Sequence, residues 1–205
     1  MRTFSKQNQN ITILVLAGGQ GKRMMGLDKG LQPFQGKPLI AHILEKIALY
    51  TTDIFISANR NQTVYESFGY PVYPDEQLDF SGPLSGFLAG LRHCASPYMA
   101  TVPCDTPFFK YEIIQQLLNA LETHKADIAV AVTENAHERR IQSVFTVMKT
   151  TLKKSLEDYL KTGNHKISPW LRSHKTVSVF FNDESMFINI NTLEELDAEA
   201  IKRQY

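Results

Sequence analysis

Gly18, Gly19, Gly21 and Gly26 alternate with Lys22, Arg23 and Lys29 directly after an apolar run over residues 11–17. Glycine lets a backbone turn with positive φ and approach a ligand closely. Successive N–H groups in such a turn form a concave anion site, and neighbouring cations add charge. The chemistry that fits is the binding of a polyphosphate. Two familiar phosphate loops fail on spacing. Gly19-Gln20-Gly21 begins the dinucleotide fingerprint, but Met24 stands at its third glycine. Gly30 to Gly36-Lys37 is too long for a P-loop, and Pro38 replaces the Ser or Thr that would hold a metal. A plain surface turn with solvated cations is the competing reading. The density of glycines and cations straight after a strand favours phosphate.

Asp105 is flanked by Pro103-Cys104 and Thr106-Pro107 after a second apolar run, which makes its backbone stiff. A rigid carboxylate at a strand end suits Mg²⁺, which takes one or two carboxylates together with phosphate oxygens; it also suits a helix cap. Asp75, after Pro74, is a candidate for ribose hydroxyls or a base. Asn189 and Asn191 flank Ile190 and share a face if that segment is extended, so they are candidate substrate amides, with a strand-end turn as the alternative. None of the six histidines stands at metal-ligand spacing from another His or Cys. Phe108-Phe109, Phe180-Phe181 and Trp170 read as core or pocket wall.

The elements that must position these residues alternate along the chain. Residues 11–17 read as a buried parallel strand. Further strands are expected over 53–58, 70–73, 98–102, 127–132, 141–149, 175–181 and 186–190, with an extended stretch at 31–34. Helices are expected over 38–50, with Pro38 in the first turn, over 62–68, from 81–83 onward, and over 110–123, 151–161, 166–173 and 192–202. Thr192 and Glu195 read as a capping box for the last. Such alternation predicts an α/β fold with a doubly wound, mostly parallel, mixed sheet; the strand over 141–149, which follows a loop, is the one expected to run antiparallel. Ligands of open α/β sheets bind beyond the carboxyl ends of the strands. That rule brings the glycine loop, Ser57-Ala58-Asn59, Asp75 and Asp105 to one cleft.

The 205 residues suit a single domain over 11–205 after a polar tail over 1–10. A formal charge of +1 gives no global attraction for nucleic acid or membrane, so any anion site is local. Two cysteines without ligand or disulfide spacing favour a reducing cytoplasm, and no apolar run is long enough for a membrane helix.

Leu16-Ala17-Gly18-Gly19, Arg23-Met24, Gly26-Leu27-Asp28-Lys29-Gly30 and Gly36-Lys37-Pro38-Leu39 resemble the signature of the nucleotidyltransferase superfamily. Within it, Gly82-Pro83-Leu84-Ser85-Gly86, Pro103-Cys104-Asp105-Thr106-Pro107 and Phe187-Ile188-Asn189-Ile190-Asn191-Thr192 resemble the molybdenum cofactor guanylyltransferases. The resemblance implies the Rossmann-like nucleotidyltransferase fold. It implies transfer of GMP from GTP to molybdenum-bearing molybdopterin, with Mg²⁺ as cofactor. It further implies Leu16, Ala17, Gly18, Gly19, Lys29, Ser57, Asp75 and Asp105 at the nucleotide, Arg23, Lys29 and Asp105 in catalysis, and Asp105 on the metal. A cytoplasmic monomer in transient contact with other molybdenum cofactor proteins is expected. The family often carries Asn-Ala-Asn where this chain has Ser57-Ala58-Asn59; a hydroxyl offers a base less than an amide does. The alternatives are a cytidylyltransferase or sugar-phosphate nucleotidyltransferase, or a non-catalytic nucleotide-binding subunit.

Overall fold

The structure, a computed structural model, describes residues 10–18, 26–75, 82–134, 138–192 and 194–195. The elements are β1 (Ile11–Leu16), β2 (Pro33–Phe34), β3 (Lys37–Pro38), α1 (Leu39–Ile47), β4 (Ile54–Ser57), α2 (Gln62–Glu66), β5 (Val72–Tyr73), α3 (Pro83–His93), β6 (Tyr98–Pro103), α4 (Glu112–Thr123), β7 (Ile128–Glu134), β8 (Arg139–Lys149), α5 (Lys153–Lys161), α6 (Ile167–Arg172) and β9 (Thr176–Phe181). Seven strands form one sheet in the order β5-β4-β1-β6-β8-β7-β9, and β2 and β3 pair as a separate hairpin. Strand β8 is antiparallel to both its neighbours; the remaining pairs in the large sheet are parallel.

The continuous apolar run of β1 follows from burial on both faces. Ile13 and Val15 join the core beneath α1 and α4, while Leu14 joins the one beneath α3, α5 and α6. The chain winds from β1 out to β4 and β5, then returns to β6 on the other side of β1. A crevice opens at such a reversal, between the carboxyl ends of β1 and β6. Register sets those ends level: Leu16 pairs with Ser57 and with Pro103, and Ser57 pairs with Tyr73. Beyond Val130 the β7–β8 register jumps, so that Ala131 faces Gln142 while Val130 faces Thr146. A bulge of this kind bends its strand, and here it delivers residues 139–142 to the same end of the sheet.

Four local expectations are corrected. Pro38 is extended (ψ 147°) and precedes α1 rather than opening it, since β3 needs it against Pro33. Helix α1 stops at Ile47 instead of residue 50. Leu31 belongs to a 3-10 turn over Lys29–Leu31, with only Pro33 and Phe34 extended. Residues 186–190 are not a strand. The Asp183 carboxylate accepts the Ser185 N–H at 3.1 Å and caps a 3-10 turn over Glu184–Phe187. Past that turn Ile190 donates its N–H to the Asp105 carbonyl at 2.9 Å. The cap at Thr192 is present, its hydroxyl accepting the Glu195 N–H at 3.0 Å, although the Glu195 carboxylate accepts from Asn191 at 2.6 Å rather than from Thr192. The body of the helix expected over 192–202 lies outside the described residues, as does the tail over 1–10 apart from Asn10. No helix among the described residues is long and apolar enough to cross a membrane.

Candidate active site

Two clusters of polar side chains occupy the carboxyl edge of the sheet. The first lies beyond β4 and β5. The Asn59 amide donates to Asp75 Oδ2 at 2.8 Å, and its carbonyl accepts the Asp75 N–H at 2.7 Å. Ser57 Oγ donates to Asp75 Oδ1 at 3.3 Å. A Cβ on Gly18 would stand 3.2 Å from the Asn59 amide, so glycine lets the end of β1 come close to this pair. Burial pushes the Asp75 carboxyl above the ordinary carboxylate range, and the Asn59 and Ser57 hydrogen bonds oppose that rise.

The second cluster lies at the reversal between β1 and β6. Lys29 Nζ donates to Asn191 Oδ1 at 2.7 Å and to Asp105 Oδ2 at 3.3 Å. The short segment bearing Asn191 is pinned by the Ile190–Asp105 backbone bond and by Ile190 itself, which is fully buried against Phe34, Leu39 and Phe108. Burial raises the Asp105 carboxyl, with Lys29 pulling the other way. The adjacent Cys104 thiol is buried and raised well above its ordinary value, so it stays protonated and serves as packing.

Asp105 Oδ1 is buried and has no hydrogen-bond partner among the described residues. An unsatisfied carboxylate oxygen in such a place is costly, and a divalent cation answers it. Among the described residues no group of three or more His, Cys, Asp or Glu could hold a metal by itself. The donor set therefore fits a hard cation that takes one carboxylate from the protein and further oxygens from a phosphate ligand.

Next to this cluster a cavity of about 260 Å³ opens under the bulged end of β8. Thr133, Arg140, Gln142, Glu184, Asn189 and Asn191 are among its walls. It is polar, and Asn191 belongs both to it and to the lysine site.

Residues 13–177 match the family model for the MobA-like NTP transferase domain. The chain belongs to this family. A molybdenum cofactor guanylyltransferase from Cupriavidus metallidurans is 48% identical over 188 residues, covering 91% of this chain and 93% of that protein. One of the same name from Cupriavidus taiwanensis is 46% identical over 194 residues, covering 94% of this chain and 98% of the relative. In fold the chain is similar to a molybdopterin-guanine dinucleotide biosynthesis protein A from Archaeoglobus fulgidus, with a TM-score of 0.75 at 22% identity over 95% of this chain and all of that one. A 4-diphosphocytidyl-2C-methyl-D-erythritol synthase from Anaerococcus prevotii shares the fold at a TM-score of 0.74 and 15% identity, over 95% of this chain and 98% of its own. A MobA-like NTP transferase is a nucleotidyltransferase.

Of the residues expected from the sequence, Ser57 and Asp75 stand together with Gly18, and Lys29, Asp105 and Asn191 stand together at the reversal. Asn189 lines the cavity beside Asn191. Leu16 and Ala17 shape the floor through backbone bonds, Ala17 donating to Ser57 and Leu16 accepting from Cys104. Gly19 and Arg23 lie outside the described residues. The expected single cleft is thus a row of two clusters and a cavity. Asn59 was missed as the holder of Asp75; the signal was its place two residues past Ser57, on a loop at a strand end. Arg140 and Gln142 were missed because their place at this edge depends on the register of β8 against β7, which shifts at a bulge.

Proposed function

We propose that this MobA-like transferase moves GMP from Mg²⁺-bound GTP to the terminal phosphate of metal-bearing molybdopterin, releasing pyrophosphate. The observation that carries the reading is Lys29 Nζ held between Asp105 and Asn191, beside an Asp105 oxygen that lacks a partner among the described residues. The curated relatives bear the name of this activity over nearly the whole chain.

An oxygen of the molybdopterin phosphate attacks the α-phosphorus of GTP. A new P–O bond forms, the bond to the bridging oxygen of the β-phosphate breaks, and that electron pair leaves with pyrophosphate. The attacking phosphate is already ionised, so no side chain need act as a base. What the protein contributes is placement and charge. Lys29 sets an ammonium against the phosphates, and Asp105 would hold Mg²⁺. When bound, the ion supplies Lewis-acid neutralisation of phosphate charge. Arg23 and the Gly19 backbone are further candidates for the leaving pyrophosphate.

At the other end, Asp75 offers a fixed acceptor to nucleoside hydroxyls or base N–H groups. The strands leading to Asp75 and Asp105, β5 and β6, are separated by three interstrand spacings, about 14 Å, a span that suits the nucleoside on one cluster and the phosphates on the other. The cavity lined by Asn189 and Asn191 is then the place for the acceptor.

Calorimetric titration of GTP, CTP, ATP and UTP with Mg²⁺ tests this, on the wild type and on Asp105→Ala. GTP should bind tightest, and its Mg²⁺ dependence should vanish in Asp105→Ala together with pyrophosphate release in the presence of molybdopterin. A preference for CTP would reassign the protein to a cytidylyltransferase. Binding without pyrophosphate release would leave a nucleotide-binding subunit.

A further inference from the structure

The backbone around Lys29 is gripped by side chains that do not line the cavity. Asp28 is only 8% exposed. Its Oδ1 accepts the Tyr65 hydroxyl at 2.5 Å and its Oδ2 accepts the Asn61 amide at 3.0 Å, so both oxygens are taken. Its carbonyl accepts the Gln32 amide at 2.8 Å. Two residues before it, the carbonyl of Gly26 accepts Arg60 Nη1 at 2.8 Å, with Gly26 at φ 81°. On the far side of Lys29 the wall is tighter still. A Cβ on Gly30 would lie 2.6 Å from the Tyr65 oxygen and 3.1 Å from Cys104 Sγ.

Arg60, Asn61 and Tyr65 come from one segment, which starts α2. Asn61 is in the left-handed conformation (φ 50°), which asparagine tolerates better than most residues. Tyr65 is fully buried, and burial, with Cys104 and Asp28 nearby, holds its phenol protonated, hence a hydrogen-bond donor. Lysine carries a long side chain with much rotamer freedom. A cation of this kind reaches one fixed point only if its backbone is set. Both Asp28 oxygens are taken up by Tyr65 and Asn61 in a buried setting, so its carboxylate reads as an anchor rather than a ligand.

We propose that Asp28, gripped by Tyr65 and Asn61, is a positioning residue that sets the Lys29 backbone so that its ammonium meets Asp105, Asn191 and the phosphates. Its effect on turnover rests on the guanylyltransferase reading above; its effect on Lys29 geometry does not. The segment that does the gripping begins just past Ser57 and Asn59, so the nucleoside cluster and the lysine share one support.

The test is Tyr65→Phe, which removes one hydroxyl and keeps the ring, and Asp28→Asn, which keeps the shape but replaces an acceptor with a donor. Each is made in the wild type and in Lys29→Ala. Pyrophosphate release gives kcat and KM for GTP. Misplacement of a group by about 1 Å can cost on the order of a hundredfold in rate. A loss of about tenfold in kcat is expected for Tyr65→Phe, with a smaller change in KM. In the Lys29→Ala background neither change should lower kcat further. Losses that add across the two backgrounds would overturn the proposal, as would a lowered Tm with kcat per folded molecule intact. Crystal structures of the wild type and Tyr65→Phe decide the point independently of turnover. Lys29 Nζ should leave Asn191 in the variant; a lysine that stays would overturn the clamp. A wild type that fails to turn over counts against the guanylyltransferase reading alone.

Discussion

Ser57 is the residue at which this chain departs from the pattern its motifs resemble, and the structure gives the hydroxyl a task. It donates to Asp75 Oδ1, and with Asn59 it holds down a carboxyl that burial would raise further. Removing that donor should move Asp75 protonation to still higher pH. A protonated Asp75 is a poorer acceptor for nucleoside donors, so Mg²⁺-GTP affinity should fall as pH drops through its raised pKa. In Ser57→Ala that acid limb should move to higher pH, with an affinity loss of about three- to tenfold from one weakened hydrogen bond to a charged group. Calorimetry across pH on both proteins reads the shift directly, and an unmoved limb would assign it to another group. At this scale the sequence singled out Lys29, Asp75 and Asp105, and the structure brings each of them to the carboxyl edge of the sheet. The sequence did not show their partners. Asn59, Asn61 and Tyr65 act through side-chain reach across loops, which no spacing rule encodes.

Among the elements, α3 decides how closely a helix approaches the site. Gly86 and Gly90 are four apart and so share a face. A Cβ on Gly90 would lie 2.7 Å from Leu14 Cδ2, and one on Gly86 would lie 2.6 Å from Leu16 Cδ2 and 2.9 Å from Ser57 Oγ. The helix thus rests against β1 and β4 through two bare backbones, and its pressure fixes Ser57. Gly86→Ala should force Leu16 and the Ser57 hydroxyl aside. The expected cost is about 1–3 kcal/mol for overpacking, or roughly 2–4 °C in Tm per kcal/mol for a chain of this size. KM for GTP should rise with little change in kcat; thermal melting and pyrophosphate release check both. The elements were largely legible because apolar periodicity tracks burial, as the two-faced run of β1 shows. The exception is instructive. Residues 186–190 are apolar but for Asn189, as a short buried strand would be, yet a ladder partner is what makes a strand. Asp183 caps a turn there, and Ile190 finds its bond at Asp105 instead. The antiparallel course of β8 could be read from the loop before it; its bulge could not, since a register shift leaves no mark in composition.

For the whole molecule, the proposed reading puts one substrate on each side of the reversal between β1 and β6. With a net charge of +1 there is no broad field to draw anions in, so each substrate must find local groups on its own half of the sheet. Asp75, Asn59 and Ser57 stand beyond β4 and β5. Arg140, Gln142 and Thr133 stand at the cavity by β7 and β8. Lys29 and Asp105 lie between them. This geometry predicts a separable kinetic pattern. Arg140→Ala should raise KM for the pterin acceptor by about tenfold, the scale of one hydrogen bond to a charged group, while KM for GTP stays put. Ser57→Ala should do the reverse. Asp105→Ala should remove kcat itself, because the Mg²⁺ that this carboxylate would hold neutralises phosphate charge where the two substrates react. Steady-state rates with each substrate varied in turn give the three signatures. If Arg140→Ala raised KM for GTP instead, the cavity would belong to the nucleotide, and the acceptor would have to enter from the α2 side of the crevice.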